Sequence, residues 1–455
     1  MSILERVYAH SPIGFQHLMT SVAGWRKNAT RYGRAYWEHR EFLKEFDTWG
    51  LERQEEYQAG ELRRLLRYAA ERSPFYRRLY AGVDVGAVRT PADLPLLPTV
   101  DKEAIRANIR DVMTQDAAGT VEEHTGGTTG MSLVVRQRIV DSMRRMATLD
   151  HFKARVGFEH LRMKRATFNG KHIVPPGQKE KVFWRYNAAC RQMIYSSFYI
   201  TEENIPHYID SLNRFRPDAL DGFFTCLTDV AGYMERKGIR PGFKPVAIFP
   251  TSETLSQPGR ELLERVFGCR VYDQYASSEG APFVTECARQ RLHMDLSSGV
   301  FEHEEGSDEV LVTSFTTYAT PLIRYRIGDS MAFAPRGEKC ACGLAAPLVE
   351  SIQGRRLDFL YTPQGARVNA GNVANLLKNM PNTVIRAQFV QDRLDHITAL
   401  LEVDRDLYRD EHDALLRGEF LQKFGPDMRV DIRRVDSIPR EGSGKFRMIK
   451  NDVQL

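Results

Sequence analysis

Apolar positions in the first part of the chain recur at helical spacing. Leu62, Leu65, Leu66, Tyr68 and Ala69 fall on one side of a segment otherwise rich in Glu and Arg, which predicts a helical lead-in over residues 1 to about 80. Ser73-Pro74 breaks that pattern, because proline does not continue a preceding helix. A proline-punctuated stretch follows from about 96 to 136. It predicts a helix beginning near Asp101, a glycine-rich loop, and a strand at Ser132-Leu133-Val134-Val135.

Between about 140 and 330 helix-like and strand-like segments alternate. Helices are expected at 203–215 and 226–237, and strands at Val246–Phe249 and Arg270–Tyr272. This rhythm predicts layers of helices on a largely parallel sheet. The pattern changes after Gly354, where short strands (Ala387–Val390, Ile397–Val403, Val430–Val435) surround a helix at 410–424. The expected fold is therefore α/β: a large layered N-terminal domain over 1–354, including the helical lead-in, and a small mobile α+β domain over 355–455. No repeat of solenoid type is visible.

Composition narrows the class. The chain has 455 residues, of which 42% are hydrophobic and 27% charged, ordinary values for a globular protein with a sizeable core. A net charge of +5 is mild for this length. It suits an anionic ligand such as a nucleotide and falls short of the clustered basic face that nucleic acid requires. Short basic runs such as Arg144-Arg145 and Arg355-Arg356 read as solvated. No run of about 18 apolar residues predicts a membrane span. Met1 to Ser21 mixes Glu5, Arg6, His10 and His17 with apolar residues, unlike a secretory leader. Six cysteines are sparse for a disulfide scaffold, and the expected location is the cytoplasm.

Five short motifs carry candidate chemistry. Thr125-Gly126-Gly127-Thr128-Thr129-Gly130 combines glycines, whose backbone N–H groups approach phosphate closely, with hydroxyl donors. Alone it reads equally well as an ordinary turn. It is no Walker A loop, since Met131 and then a strand follow it; a P-loop phosphotransferase is excluded on that ground. Tyr275-Ala276-Ser277-Ser278-Glu279 puts a carboxylate just past a strand, a suitable place for a magnesium ligand. Tyr325-Arg326-Ile327-Gly328-Asp329 offers an aspartate able to accept from both hydroxyls of a ribose. Gly354-Arg355 precedes the change of pattern, and Lys445 lies on the Gly/Ser-rich turn of Pro439 to Arg447.

In this order the motifs resemble the adenylate-forming superfamily: acyl-CoA synthetases, peptide-synthetase adenylation domains and luciferases. The detail resembles the phenylacetate–CoA ligase branch with its CapK-like members. Ser73-Pro74-Phe75-Tyr76-Arg77, Arg216-Pro217-Asp218 to Gly222, and Thr251-Ser252-Glu253-Thr254-Leu255-Ser256 are similar to segments of that branch. The resemblance spans nearly the whole chain. It implies ATP-dependent activation of a carboxylic acid as acyl-AMP, then acyl transfer to coenzyme A. An amine acceptor, with a link to polysaccharide synthesis, and an inactive nucleotide-binding relative are the alternatives. The roles it implies are phosphate binding for Thr125 to Gly130, with Thr128 catalytic, and an adenine site lined by Ser252, Glu253 and Thr254. Tyr275 would stack near base or acyl group, with Ser277 and Ser278 in the same nucleotide-binding motif. Glu279 would help hold Mg2+, Asp329 and Arg355 would bind the ribose, and Lys445 would reach the α-phosphate and the substrate carboxylate. Two positions depart from the pattern: Met131 replaces the usual lysine after the phosphate loop, and Leu357 stands at the hinge where an aspartate is common.

Cys287, His293, Cys340 and Cys342 form a separate set. Three thiolates and an imidazole would make a closed structural zinc site, although the spacing is not standard. Similar Cys…His…Cys-x-Cys patterns occur in phenylacetate–CoA ligase relatives. Cys190, Cys226 and Cys269 have no partner pattern and are expected in the core, as are Trp184, Tyr195, Phe198 and Tyr199. The oligomeric state stays open between monomer and homodimer.

Overall fold

The computed structural model describes residues 3–125, 133–175, 178–201, 203–253, 255, 257–306, 309–352, 359–369, 373, 375–377, 380, 383–403, 405, 407–436, 438 and 448–453. The lead-in is helical, as expected: α1 (Ile3–His10), α2 (Ile13–Ala29), α3 (Arg34–Phe46), α4 (Leu51–Arg72) and α5 (Pro74–Leu79). Ser73 is the break between the last two. Its backbone ends α4, and its side chain caps α5 by accepting from the Tyr76 N–H. Two short helices follow, α6 (Lys102–Ala107) and α7 (Ile109–Val112). The Asp101 carboxylate caps α6, accepting from Ala104 N–H at 2.7 Å.

An antiparallel hairpin comes next, β1 (Thr120–Thr125) and β2 (Leu133–Arg138), and then α8 (Ile139–Arg155). The first large sheet is built from β3 (Arg165–Asn169), β4 (Trp184–Asn187), β5 (Gln192–Ser196), α9 (Ile205–Phe215), β6 (Ala219–Phe223), α10 (Phe224–Arg236), β7 (Ala247–Thr251), α11 (Gln257–Phe267) and β8 (Arg270–Val271). Its order is β4-β5-β3-β6-β7-β8, and only the edge strand β4 runs antiparallel to its neighbour. Central strands such as β6 and β7 are buried nearly throughout, as both faces are covered. On one side Ile209, Leu212, Leu227, Val230 and Leu263 of α9 to α11 form the core. On the other, Phe152 of α8 packs with Phe158, Phe249 and Tyr272.

The expected parallel sheet does not extend to residue 330. Between α11 and residue 352 the described residues hold no α-helix, and the long helix of the C-terminal part is α12 (Asp410–Phe424). The segment between instead forms an antiparallel sheet of β9 (Gln274–Tyr275), β10 (Val284–Glu286), β11 (Leu292–Met294), β12 (Gly299–His303), β13 (Glu309–Ser314), β14 (Tyr325–Phe333) and β15 (Leu348–Ile352), ordered β12-β13-β14-β15-β11-β10-β9. Its strands are linked without crossover helices, and antiparallel pairing alone allows such links. The helical lead-in covers it: Leu62, Leu65, Leu66 and Ala69 of α4 share a core with Val310, Val312, Ile323 and Met331.

The C-terminal part has its own sheet. β16 (Phe359–Tyr361) and β17 (Arg367–Asn369) pair with each other, while β18 (Val384–Arg393), β19 (His396–Val403), β20 (Arg429–Val435) and β21 (Ile449–Asn451) form the order β20-β19-β18-β21. With α12 they enclose a third core of Leu360, Leu377, Phe389, Leu401, Leu416 and Phe420. One residue from the N-terminal part, Phe198, belongs to that core. The larger N-terminal and smaller C-terminal parts of the expected α/β fold are both present.

Candidate functional site

The site builds from strand ends. β3, β6 and β7 are parallel neighbours, so their carboxyl ends lie along one edge of the sheet, where ligands of open α/β sheets bind. Gly222 near the end of β6 has φ 128°, and a Cβ there would collide with the Phe168 carbonyl of β3. Only glycine lets the two strands close there.

β7 runs into Ser252, held at φ 66°, and then Glu253. The Glu253 carboxylate accepts from the Thr225 N–H at 2.7 Å and from its hydroxyl at 3.1 Å. It thereby caps the start of α10, where a negative charge meets the positive end of the helix. Glu253 thus ties the β7 end to the start of the helix that follows β6.

Tyr275 ends β9 and is buried; its hydroxyl donates to Asp329 Oδ2 at 2.8 Å. Asp329 sits where the β13–β14 register shifts between the Leu311–Arg326 and Glu309–Ser330 pairs, directly after Gly328 at φ 77°. Such a bulge re-aims a side chain out of the ladder. Two of the sequence motifs thus meet at one hydrogen bond.

The loop after Tyr275 is braced from beneath. Arg145, read from sequence as one of a solvated pair, is instead buried. Its guanidinium donates to the Gly280 carbonyl at 2.9 Å, the Ala281 carbonyl at 2.8 Å, the Thr316 hydroxyl at 3.1 Å and the Ser277 carbonyl at 3.3 Å, and it stacks on Phe283. Burial pushes its pKa down to about 10, opposed by the charges of Asp141, Glu123 and Glu279. Ser277 closes the same turn, its hydroxyl accepting from Ala281 N–H at 3.0 Å. Gly280 is at φ 104°, and a Cβ would lie 2.5 Å from Thr317. This frame presents Glu279, whose carboxylate is 3.7 Å from Lys102 Nζ, both side chains 15% exposed. Lys102 opens α6, which is docked onto β14 through the Val100–Tyr325 bridge. Neither Lys102 nor Arg145 stands out in the sequence; a lysine next to a helix cap and an arginine inside a helix carry no local mark.

The phosphate-loop motif spans the β1–β2 turn. Thr125 pairs with Leu133 as the last rung of the hairpin; a strand follows the loop, as the sequence implied, and another, β1, precedes it, which was not expected. Gly126, Gly127, Thr128, Thr129, Gly130 and Met131, together with Thr254, Arg355, Leu357 and Lys445, lie outside the described residues.

The cysteine–histidine set does come together. Cys287 directly follows β10, His293 is the middle residue of β11, and Cys340 and Cys342 lie in the loop before β15. The four donor atoms lie within 4.8 Å of one another. Cys287 Sγ is 3.7 Å from Cys340 Sγ, and Cys342 Sγ is 3.4 Å from His293 Nε2. A tetrahedral zinc with Zn–S of about 2.3 Å and Zn–N of about 2.0 Å has edges of about 3.8 and about 3.5 Å. Backbone N–H groups of Arg289, Cys342 and Leu344 point at the three sulfurs. His293 Nδ1 faces the Ala346 carbonyl at 3.1 Å, which leaves Nε2 for the cluster. Of the remaining cysteines, Cys190 and Cys226 are buried and Cys269 is half-buried.

Among the described residues no helix is long and apolar enough to cross a membrane. Residues 360–452 match the CapK C-terminal domain family. Protein CapK of Staphylococcus aureus is 34% identical over 458 residues, covering 99% of this chain and 100% of that protein. Phenylacetate–coenzyme A ligase of Thermus thermophilus is 25% identical over 459 residues, covering 90% of this chain and 98% of the ligase. Indoleacetate–lysine synthetase of Pseudomonas savastanoi is 25% identical over 212 residues, 44% of this chain and 50% of the synthetase. Among solved structures, 2-hydroxyisobutyryl-CoA ligase in the postadenylation state superimposes with a TM-score of 0.56 at 15% identity, covering 89% of this chain and 91% of the ligase. The chain therefore belongs to the CapK family, in the phenylacetate–CoA ligase branch of the adenylate-forming superfamily.

Proposed function

We propose that the protein activates a carboxylic acid with ATP and transfers the acyl group to coenzyme A. The observation that carries this reading is the Tyr275–Asp329 hydrogen bond at the β14 bulge, which joins two motifs of the adenylate-forming order. The acid's carboxylate oxygen attacks the α-phosphorus, a P–O–P bond breaks, and pyrophosphate leaves. The thiolate sulfur of coenzyme A then attacks the acyl carbon, the thiol proton goes to solvent, and AMP departs with the C–O electron pair.

Both partners of the first step are anionic, so positive charge and fixed donors must offset their repulsion. Asp329 would accept from the ribose hydroxyls while Tyr275 holds its other side. Thr125, Thr128 and Thr129 with the loop N–H groups would bind the phosphates, Ser252 and Thr254 the base, and Arg355 the ribose. Lys445, on a C-terminal part acting as a mobile lid, would bring its ammonium to the α-phosphate on closure. Glu279 fits a magnesium ion, which takes one or two carboxylates plus phosphate oxygens and water; the ion would supply charge neutralisation on the phosphates. Lys102 Nζ, 3.7 Å from the Glu279 carboxylate, would be the counter-charge that the ion displaces. ATP and coenzyme A are cytoplasmic metabolites, and that is the compartment we assign.

Pyrophosphate exchange over a panel of carboxylic acids tests the proposal. Exchange with at least one acid, reduced on the order of 10²–10³-fold in Lys445→Ala, is expected. ATP binding with no exchange over a broad panel would overturn it in favour of a catalytically silent nucleotide binder. Likeness to a protein named indoleacetate–lysine synthetase favours a second reading, an amine as acceptor. Supplying CoA and then amines to the preformed acyl-adenylate separates the two.

The second metal site we assign is structural zinc at Cys287, His293, Cys340 and Cys342, on the strength of the tetrahedral edge lengths. Elemental analysis of protein purified without chelators should give one zinc per chain; a value well below one rejects the assignment.

A further inference from the structure

Helix α2 is inside out. Its protein-facing side is polar: Gln16 Oε1 accepts from Arg185 Nε at 2.6 Å, His17 Nδ1 accepts from Tyr186 N–H at 2.9 Å, Ser21 Oγ accepts from Ala188 N–H at 3.0 Å, and Asn28 donates to the Ala189 carbonyl at 3.1 Å. These contacts all go to the edge strand β4 and the turn after it, whose outward backbone groups have no strand beyond them. The opposite side of α2 carries Phe15, Leu18, Val22 and Trp25, at i, i+3, i+7 and i+10, each 41–57% exposed. Of the eleven large apolar side chains left exposed among the described residues, six lie in α1 and α2, the other two being Leu4 and Val7. An ordinary surface helix has the reverse polarity, and an apolar stripe of this kind marks an interaction face.

The charge around the stripe selects its partner. Between Ile3 and Tyr32 the single carboxylate is Glu5, against Arg6, Arg26, Lys27 and Arg31; Arg6, Arg26 and Lys27 are exposed. A two-fold dimer through this face would set like charges against each other. An anionic surface with an apolar interior satisfies both features: aromatic and aliphatic side chains enter the interface while Arg and Lys meet headgroups. We propose that α1 and α2 dock the protein on anionic lipid bilayers, as a peripheral attachment lying in the plane of the membrane. This inference does not depend on the catalytic reading.

Co-sedimentation of the full chain with vesicles of phosphatidylcholine, with or without about one-third phosphatidylglycerol, tests it. At least about tenfold tighter binding to the anionic vesicles is expected, weakened by salt. Trp25 emission should shift to the blue on binding. The triple variant Leu18→Glu, Val22→Glu, Trp25→Glu should lose binding while keeping its melting temperature, since these side chains face solvent. The double variant Arg26→Glu, Lys27→Glu, which leaves the apolar stripe intact, should lose the preference for anionic lipid. Absence of wild-type binding to either vesicle overturns the proposal. So does a concentration-dependent dimer that the triple variant abolishes, because the face then belongs to a second copy.

Discussion

At the scale of single residues, the side chains that hold the site outnumber those that the motifs announce. Arg145 gives three hydrogen bonds to the loop that carries Glu279 and a fourth to the Thr316 hydroxyl. Arg145→Lys keeps a charge but not the planar fork that reaches several carbonyls. It should lower stability by about 1–3 kcal/mol and lower kcat for pyrophosphate exchange while leaving KM for the acid nearly unchanged. A fall in stability with kcat preserved would remove Arg145 from the positioning of Glu279. Asp273 supplies a pH dependence. Burial, and then the charge of Glu286 beside it, pushes its carboxyl up to about 7. The folded state therefore holds this proton more tightly than the unfolded chain, where the pKa is about 3.9. This residue's contribution to stability is then fully present below about pH 4, is lost progressively up to about pH 7, and is constant above that. Asp273→Asn should flatten the melting temperature against pH across that window, as thermal scans at several pH values would show. Glu279 and Asp329 drew notice in the sequence because each sits in a short local motif. Arg145 and Lys102 did not, because their importance comes from carbonyls and a carboxylate more than a hundred residues away, to which sequence spacing is blind.

At the scale of elements, long periodic segments were readable and short ones were not. α9 and α10 fall within two residues of their expected ends because an amphipathic pattern over three turns is hard to mistake, whereas α11 was not expected. β8 was expected at Arg270–Tyr272 and is found at Arg270–Val271, but strands such as β9 and β10 have two or three residues, too few to show a period, and the turn from parallel to antiparallel pairing after α11 went unread. The polar inner face of α2 was equally hidden, since a helix that hydrogen-bonds a sheet edge lacks the usual apolar inner stripe. That interface makes its own prediction. The buried Arg185 guanidinium is neutral-paired, held by Gln16, Gln178 and the Val182 and Trp184 carbonyls. Gln16→Leu should destabilise by about 1–3 kcal/mol, and amide exchange should quicken in β4 and α2 before it does in β6 or β7. Uniform quickening over the whole sheet would contradict a local capping role.

At the scale of the whole molecule, three sheets divide the work: the parallel one offers its strand ends, the antiparallel one carries Tyr275, Asp329 and the cysteine–histidine cluster, and the C-terminal one carries the segment that leads to Lys445. The order of motifs made this division readable as a family resemblance, whereas the contact between the last sheet and the rest could not be read. Phe198, with Tyr199 beside it, makes that contact. It stands in the turn after β5, stacks on His172 at 5.1 Å, and is counted with Leu360, Val368 and Leu377 in the C-terminal core. A C-terminal part that turned as proposed would have to withdraw this ring from its socket, so Phe198 would act as a latch on the arrangement seen here. Phe198→Ala should therefore raise amide exchange in β17 and β18 and shift the ratio of adenylation rate to thioester-forming rate, with β3 and β6 exchanging as before. On the proposed two-step reaction, the timing of the half-reactions would then depend on one aromatic side chain.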